Sequence, residues 1–295
     1  MRRALSVSLG SRAGDREAHV DLGGATVHLE RRGCDGDMDR AARMLREMDG
    51  RVDALGLGGC NLYYRTRTRR YPFPAGQYLA GFARETPLTD GEGVKAHVEP
   101  GCVAALGQEM RLDGLRVLFT AYLDRPELAW ALAEAGALVW AGDPYFSSGL
   151  PLIPPVPVAE SLAPLFMPLL ARVPLRLLYP LGGAQGRWGS TPLGPQGFGL
   201  VAGEFHLMRR RMPRHLQGTT ILASSLGERD ARELKERGAP RVFATMPSMG
   251  GARFGANAVE AALLASGHLD PAKGNYQEAW ERSGLPPGVL QEVLP

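Results

Sequence analysis

Residues 4–9 alternate apolar and polar side chains with a period of two, which predicts a strand with one face in a core. Residues 18–22 and 26–30 repeat the alternation, and Gly23-Gly24 between them predicts a hairpin. His19 and His28 fall on the polar phase, as solvated surface side chains or, alternatively, as ligands. Asp35 or Asp37 then caps a helix whose Ala41, Met44, Leu45 and Met48 form one apolar face, ended by Gly50. The short apolar run over 52–57 predicts a central strand running into Gly58-Gly59-Cys60-Asn61. A glycine pair there permits close approach of a ligand to the backbone, or simply a tight turn. Arg alternates with Thr over 65–70, which predicts the exposed face of an edge strand or hairpin. An anion-binding strip is the alternative. A helix over 75–84 follows.

The pattern changes at Gly114. Strands over 116–120, 138–141, 199–205, 219–223 and 241–245 alternate with helices, which argues for a parallel sheet with right-handed crossovers. Pro126 opens the first of these helices after Asp124 or Arg125, and Gly136 closes it. Helices are also expected over 228–237 and 256–266. Residues 149–197 are rich in Pro and Gly and contain an apolar helix over 161–173, a strand over 175–179 and a long loop over 182–197. Loops of that length serve as lids or binding loops. The expected fold class is α/β with two domains: an N-terminal mixed α/β domain over 1–113, then a Rossmann-like parallel-sheet domain over 114–267. The second domain carries the insertion at 149–197, and a tail over 268–295 includes a short helix near 276–282.

Composition narrows the function classes. A chain of 295 residues can bury two cores, and its 44% hydrophobic and 22% charged residues are ordinary for a globular protein. A net charge of +3 is too small to indicate nucleic acid as a partner. Lys95, Lys235 and Lys273 are the only lysines, so each carries more weight than an arginine. Cys34, Cys60 and Cys102 lack metal-ligand spacing, so no metal site is expected. No apolar run reaches membrane-span length and no secretory h-region precedes residue 12. The expected compartment is the cytoplasm, with no membrane partner.

Thr89-Asp90-Gly91-Glu92-Gly93, a helical segment, and then Leu112-x-Gly114-x-Arg116-Val117-Leu118 resemble the quinate/shikimate dehydrogenase family. Residues 244–250 are similar to that family's Ala-Thr-x-x-Gly-Met loop. The resemblance implies NAD(P)-linked oxidation or reduction of a cyclic hydroxy acid, with Asp90 in the place of the family's aspartate that works with a lysine on the substrate hydroxyl. That lysine comes from the N-terminal domain, yet residues 1–88 contain none. Lys95, about one helical turn from Asp90, is the nearest substitute; pairing with Glu92 or Glu99 on a helix surface is the alternative.

The cofactor expected is NAD or NADP. A Rossmann turn uses glycines so that the backbone can approach the pyrophosphate at a helix N-terminus. Here the turn runs from Ala121 to Pro126 without a glycine. Asp143, about 20 residues on, has the spacing of a ribose-binding acid, with turn capping as its alternative. Arg125 could offset Asp124 near phosphate, and Thr245 belongs to the cofactor-side loop. His206, with Glu204, is a candidate acid or base, and Arg209 to Arg211 a candidate anion clamp. Thr89, Gly58, Gly59, Asn61 and Arg209 are expected to contact substrate. Asn257 could cap the last long helix or touch ligand. The expected partner is a small anionic molecule, with a homo-oligomer as a further expectation. The competing function is a non-redox ligand- or nucleotide-binding protein that has lost the glycine turn.

Overall fold

The computed structural model describes residues 1–170, 172–179, 181–189, 197–216, 218–224, 226–286 and 291–293. Residues 190–196 of the loop expected over 182–197 thus lie outside the described residues. Strand β1 (Arg2–Ser8) is buried on both faces from Ala4 onward and occupies the middle of the first sheet. β2 (Arg16–Leu22) and β3 (Ala25–Gly33) form the expected hairpin, with His19 opposite His28 and their rings stacked 4.6 Å apart. Helix α1 (Met38–Met48) is capped by Asp37, whose carboxylate accepts the Arg40 N–H. β4 (Ala54–Gly58) is an interior strand, buried throughout. The Arg/Thr run makes a two-stranded hairpin, β5 (Tyr63–Arg65) and β6 (Arg70–Pro72), followed by α2 (Pro74–Ala80) and β7 (Leu88–Thr89). The first sheet has the order β2-β3-β1-β4-β7, with only β2 antiparallel.

Helices α3 (Glu92–His97) and α4 (Cys102–Glu109) lead to β8 (Arg116–Phe119), α5 (Pro126–Glu134), β9 (Leu138–Ala141) and α6 (Asp143–Ser148). Next come α7 (Val156–Leu170), α8 (Leu175–Leu178), β10 (Leu200–Gly203), α9 (Phe205–Arg210), β11 (Thr220–Ala223), α10 (Glu228–Glu236) and β12 (Val242–Ala244). A small ribbon of β13 (Ser248–Met249) and β14 (Ala252–Arg253) precedes α11 (Ala256–Ser266), α12 (Tyr276–Arg282) and β15 (Gln291–Glu292). The second sheet has the order β15-β12-β11-β10-β8-β9, parallel except for β15. The α/β class with two mainly parallel sheets is therefore what the chain adopts.

Two segments depart from their local patterns. The strand expected over 175–179 is the one-turn helix α8: the Tyr179 N–H returns to the Leu175 carbonyl, and Leu175 and Leu178 pack onto the core beneath α1. Those leucines are held by that core, so packing decides their conformation. Helix α11 follows the second sheet in sequence but covers the first. Val259, Ala262 and Leu263 share a core with Val20, Val27 and Leu29. That return crossing brings the chain over the first sheet a second time and places the two sheets beside one cleft.

The Thr89–Gly93 motif lies under this crossing. Gly91 has a φ of +82°, and a Cβ there would stand 2.4 Å from the Asn257 nitrogen. A Cβ on Gly93 would stand 1.9 Å from the Tyr276 ring. Both glycines are thus required by packing against α11 and α12. Thr89 donates its hydroxyl to buried Glu260 of α11 at 2.6 Å, and the other Glu260 oxygen accepts the Val94 N–H at 2.7 Å.

Candidate functional site

Parallel strands in both sheets end toward the same space. β4 ends at Gly58 and continues into Gly59, Cys60 and Asn61; β8 continues into Ala121 and Tyr122; β9 into Asp143; β10 into Glu204; β11 into Ser224. All of these residues, with Ser6 and Ser8 of β1, line one cavity of about 640 Å³. Carboxyl ends of parallel strands are where open α/β sheets leave a crevice, because the crossovers pull the chain away on both sides.

A buried polar cluster forms the floor. Lys95 Nζ donates to Asp124 Oδ1 at 2.7 Å and to Asn61 Oδ1 at 3.2 Å, while Asn61 Nδ2 donates to the same Asp124 oxygen at 2.6 Å. Burial works against the charge on Lys95, but Asp124 and Asp90 outweigh it and hold its pKa above the ordinary value. Burial likewise opposes ionisation of Asp124, yet Lys95 and Arg125 hold its pKa well below the usual carboxylate range. Arg125 reaches back from the second Asp124 oxygen, at 3.1 Å, to grip both oxygens of Glu99 at 2.7 and 2.9 Å. Glu99 also accepts the Thr245 hydroxyl. Lys95 is therefore not the surface lysine paired with Glu92 or Glu99.

Asp90 clips two turns together. Its Oδ2 accepts the Leu62 N–H at 2.6 Å, and its Oδ1 accepts the Glu92 N–H at 3.1 Å. Asp143 does similar work on the turn after β8. Its two oxygens accept the Tyr122 N–H at 2.9 Å and the Leu123 N–H at 3.2 Å. In a Rossmann turn such N–H groups face the pyrophosphate; here a carboxylate of the protein takes two of them. Burial raises the pKa of Asp143 to about 6 despite those two hydrogen bonds.

At the first-sheet end, Arg31 donates to Ser8 Oγ at 3.2 Å and to the Asp15 carboxylate at 3.1 Å. Asn257 donates to Ser6 Oγ at 2.6 Å and caps nothing, since Gly255 occupies the N-cap of α11. His206 lies on the cavity wall with a buried Nδ1 that has no partner among the described residues.

The structure thus brings Asp90, Lys95, His206, Asp143, Arg125, Gly58, Gly59 and Asn61 to one cavity. It places three predicted residues elsewhere. Thr89 turns to Glu260, and Thr245 lies behind Glu99. Arg209 pairs with Asp230 and stacks on Trp188, 4.5 Å from its ring centre. The Arg/Thr hairpin is an ionic strap between the halves: Arg65 pairs with Glu127 and Glu92, Arg70 pairs with Glu92, and the Arg67 N–H donates to Glu160 at 3.0 Å. Ser6, Ser8 and Arg31 were not singled out as site residues. The alternation of β1 and β3 makes them polar, but only the sheet's orientation turns them to the cleft. Among the described residues no group of side chains suits a metal ion, and no helix is long and apolar enough to cross a membrane.

Several solved structures have a related outline at very low similarity. An ABC transporter solute-binding protein from Burkholderia graminis C4D1M in complex with D-arabinose is 10% identical, with a TM-score of 0.38 over 99% of this chain and 95% of that chain. A galactofuranose-binding protein is 11% identical, with a TM-score of 0.33 over 85% of each chain. A Mycobacterium smegmatis protein in complex with β-D-fucofuranose is 10% identical, with a TM-score of 0.35 over 96% of this chain and 97% of that chain. No curated protein matches the sequence. A family model described as domain of unknown function DUF8753 matches residues 3–90.

The resemblance to quinate/shikimate dehydrogenases, and the oxidoreductase activity drawn from it, is corrected: the family models that match the chain are two domains of unknown function. The geometry supplies the physical reason. The two motif glycines are packing positions, Asp90 is committed to backbone N–H groups, and Lys95 is committed to Asp124. Over residues 93–291 the chain belongs to the family described as domain of unknown function DUF8754.

Proposed function

We propose that this is a non-redox ligand-binding protein that takes a small anionic molecule in the cleft between its two sheets. The observation that carries this reading is the convergence of strand ends from both sheets on one cavity of about 640 Å³ with a buried polar floor. That volume is in the range of pockets that enclose small ligands. Lys95, Asn61 and Asp124 hold one another in fixed geometry, so the floor is preorganised and loses little side-chain freedom on binding. Arg31 and Arg16 line the first-sheet end of the cavity; burial lowers the pKa of each, and Arg16 adds to the effect on Arg31. Burial and Arg16 together outweigh the Asp15 carboxylate that pairs with Arg31, and an anion relieves the remainder, which supports a carboxylate or phosphate on the ligand. The buried Nδ1 of His206, without a partner among the described residues, offers a further polar contact.

Isothermal titration calorimetry tests this with inorganic phosphate, short carboxylates, sugar phosphates, adenine nucleotides, NADH and NADPH. Saturable binding of an anion that weakens at least tenfold in Arg31→Met is the expected result. Tight dinucleotide binding accompanied by hydride transfer overturns the reading, as does the absence of any anion binding.

A further inference from the structure

The cleft has a second character that the polar floor does not explain. Outside residues 150–177, only Met1, Tyr78 and Leu138 are large, apolar and exposed among the described residues. Within that segment Leu162 is 43% exposed, Phe166 49% and Leu169 58%, all on α7, and Leu150, Leu152 and Leu177 exceed 55%. Those six side chains line the same cavity as Asn61, Lys95 and Arg31. Contiguous exposed apolar surface is unfavourable in water and marks a site that something covers.

Charge narrows the occupant. Between residues 144 and 189 the sequence has one acidic residue, Glu160, and it is turned away to the Tyr122 hydroxyl and Arg67. The roof therefore offers an apolar surface without carboxylates, and Arg16 and Arg31 line the same cavity. Helix α7 also contains Pro164 and Pro168, each of which removes an intrahelical N–H.

We infer that the ligand is a single-chain anionic amphiphile, its carboxylate or phosphate near Arg31 and Arg16 and its alkyl portion under α7. This rests on the proposed ligand-binding reading and names the class of molecule. One cavity lined both by guanidiniums and by exposed apolar side chains matches the two characters of such a molecule.

Calorimetry on the full chain with acetate, hexanoate, octanoate and decanoate, all below micelle-forming concentrations, tests the inference. Affinity is expected to rise by up to about fourfold per methylene, the limit for a fully buried CH₂. Phe166→Ser with Leu169→Ser, both exposed and outside the core, is expected to flatten that dependence and leave acetate binding, which has no alkyl chain to reach α7, within about threefold. Arg31→Met is expected to weaken every member by a similar factor. Affinity that does not change with chain length, with the anion still bound, overturns the inference and leaves the ligand-binding reading standing. No binding of any member, nor of inorganic phosphate, overturns both. Co-sedimentation with phosphatidylglycerol vesicles that the α7 double substitution abolishes, without chain-length dependence for the soluble acids, overturns it in favour of a membrane-docking helix.

Discussion

Lys95 Nζ stands 2.7 Å from Asp124 Oδ1, and with this contact α3 is locked to the turn after β8. The two side chains are 6% and 14% exposed, so neither charge has much water to fall back on. Removing one partner of such a pair leaves the other uncompensated. Lys95→Met is expected to destabilise the protein by about 3–5 kcal/mol. Lys95→Met with Asp124→Leu is expected to cost less than the sum of the single changes, although Arg125 loses a partner. Urea denaturation of the three variants checks the non-additivity; strictly additive losses would show that the pair is not coupled.

The pair also sets the pH limits of its own contribution. The folded pKa of Asp124 is depressed, so its contribution is present above the ordinary carboxylate value and is lost as pH falls toward the folded one. The folded pKa of Lys95 is raised, so its contribution is complete below the ordinary lysine value and fades only at higher pH.

Asp143 has the opposite sign. Its folded pKa of about 6 exceeds the ordinary 3.8, so the folded state holds the proton more tightly. Its contribution is complete below the ordinary value and is lost as pH rises through about 6. Discounted for the water that reaches the cleft, the shift corresponds to about 2 kcal/mol. Asp143→Asn is expected to reduce the loss of stability between pH 4.5 and 7 relative to the parent, measured as unfolding free energy at intervals across that range. Parallel curves for the two proteins would contradict this assignment.

Arg125 grips Glu99 with both carboxylate oxygens near one guanidinium nitrogen, and the two side chains are 5% and 0% exposed. A lysine cannot reproduce the planar fork that also reaches Asp124. Arg125→Lys is expected to lower stability by about 2 kcal/mol, and Arg125→Met by about 3–5 kcal/mol, because Glu99 is then buried without a cation. Thermal unfolding ranks the two; equal midpoints for Arg125→Lys and the parent would remove the argument.

Gly93 faces the Tyr276 ring too closely for any side chain. Gly93→Ala is expected to cost about 1–3 kcal/mol through overpacking. Adding Tyr276→Leu is expected to recover part of that loss, because it removes the ring that meets the new methyl group. Chemical denaturation of the single and double variants decides it, and a failure to recover would show that the ring is not what limits the site.

What the sequence determined by itself was local. Period-two alternation placed β1 and the β2–β3 hairpin, strand–helix alternation after Gly114 announced a parallel sheet, and Asp37 and the short C-terminal helix stood close to where they were expected. These signals survive in the sequence because each depends on neighbours a few residues away. The run over 175–179 misled for the same reason: its apolar residues suit a strand, and packing onto the core shared with α1 made α8 a helix. The site depended on longer reaches. Lys95 meets Asp124 across 29 positions and Thr89 meets Glu260 across 171, and neither pairing has a periodicity that could reveal it. The Thr89–Gly93 motif pointed to chemistry at Asp90, with its glycines as part of the pattern. Tertiary structure made them packing positions by laying α11 and α12 back over the first sheet. The same crossing turned an N-terminal serine strand and a second-half aspartate toward one cleft, a matter of chain topology and not of any local pattern.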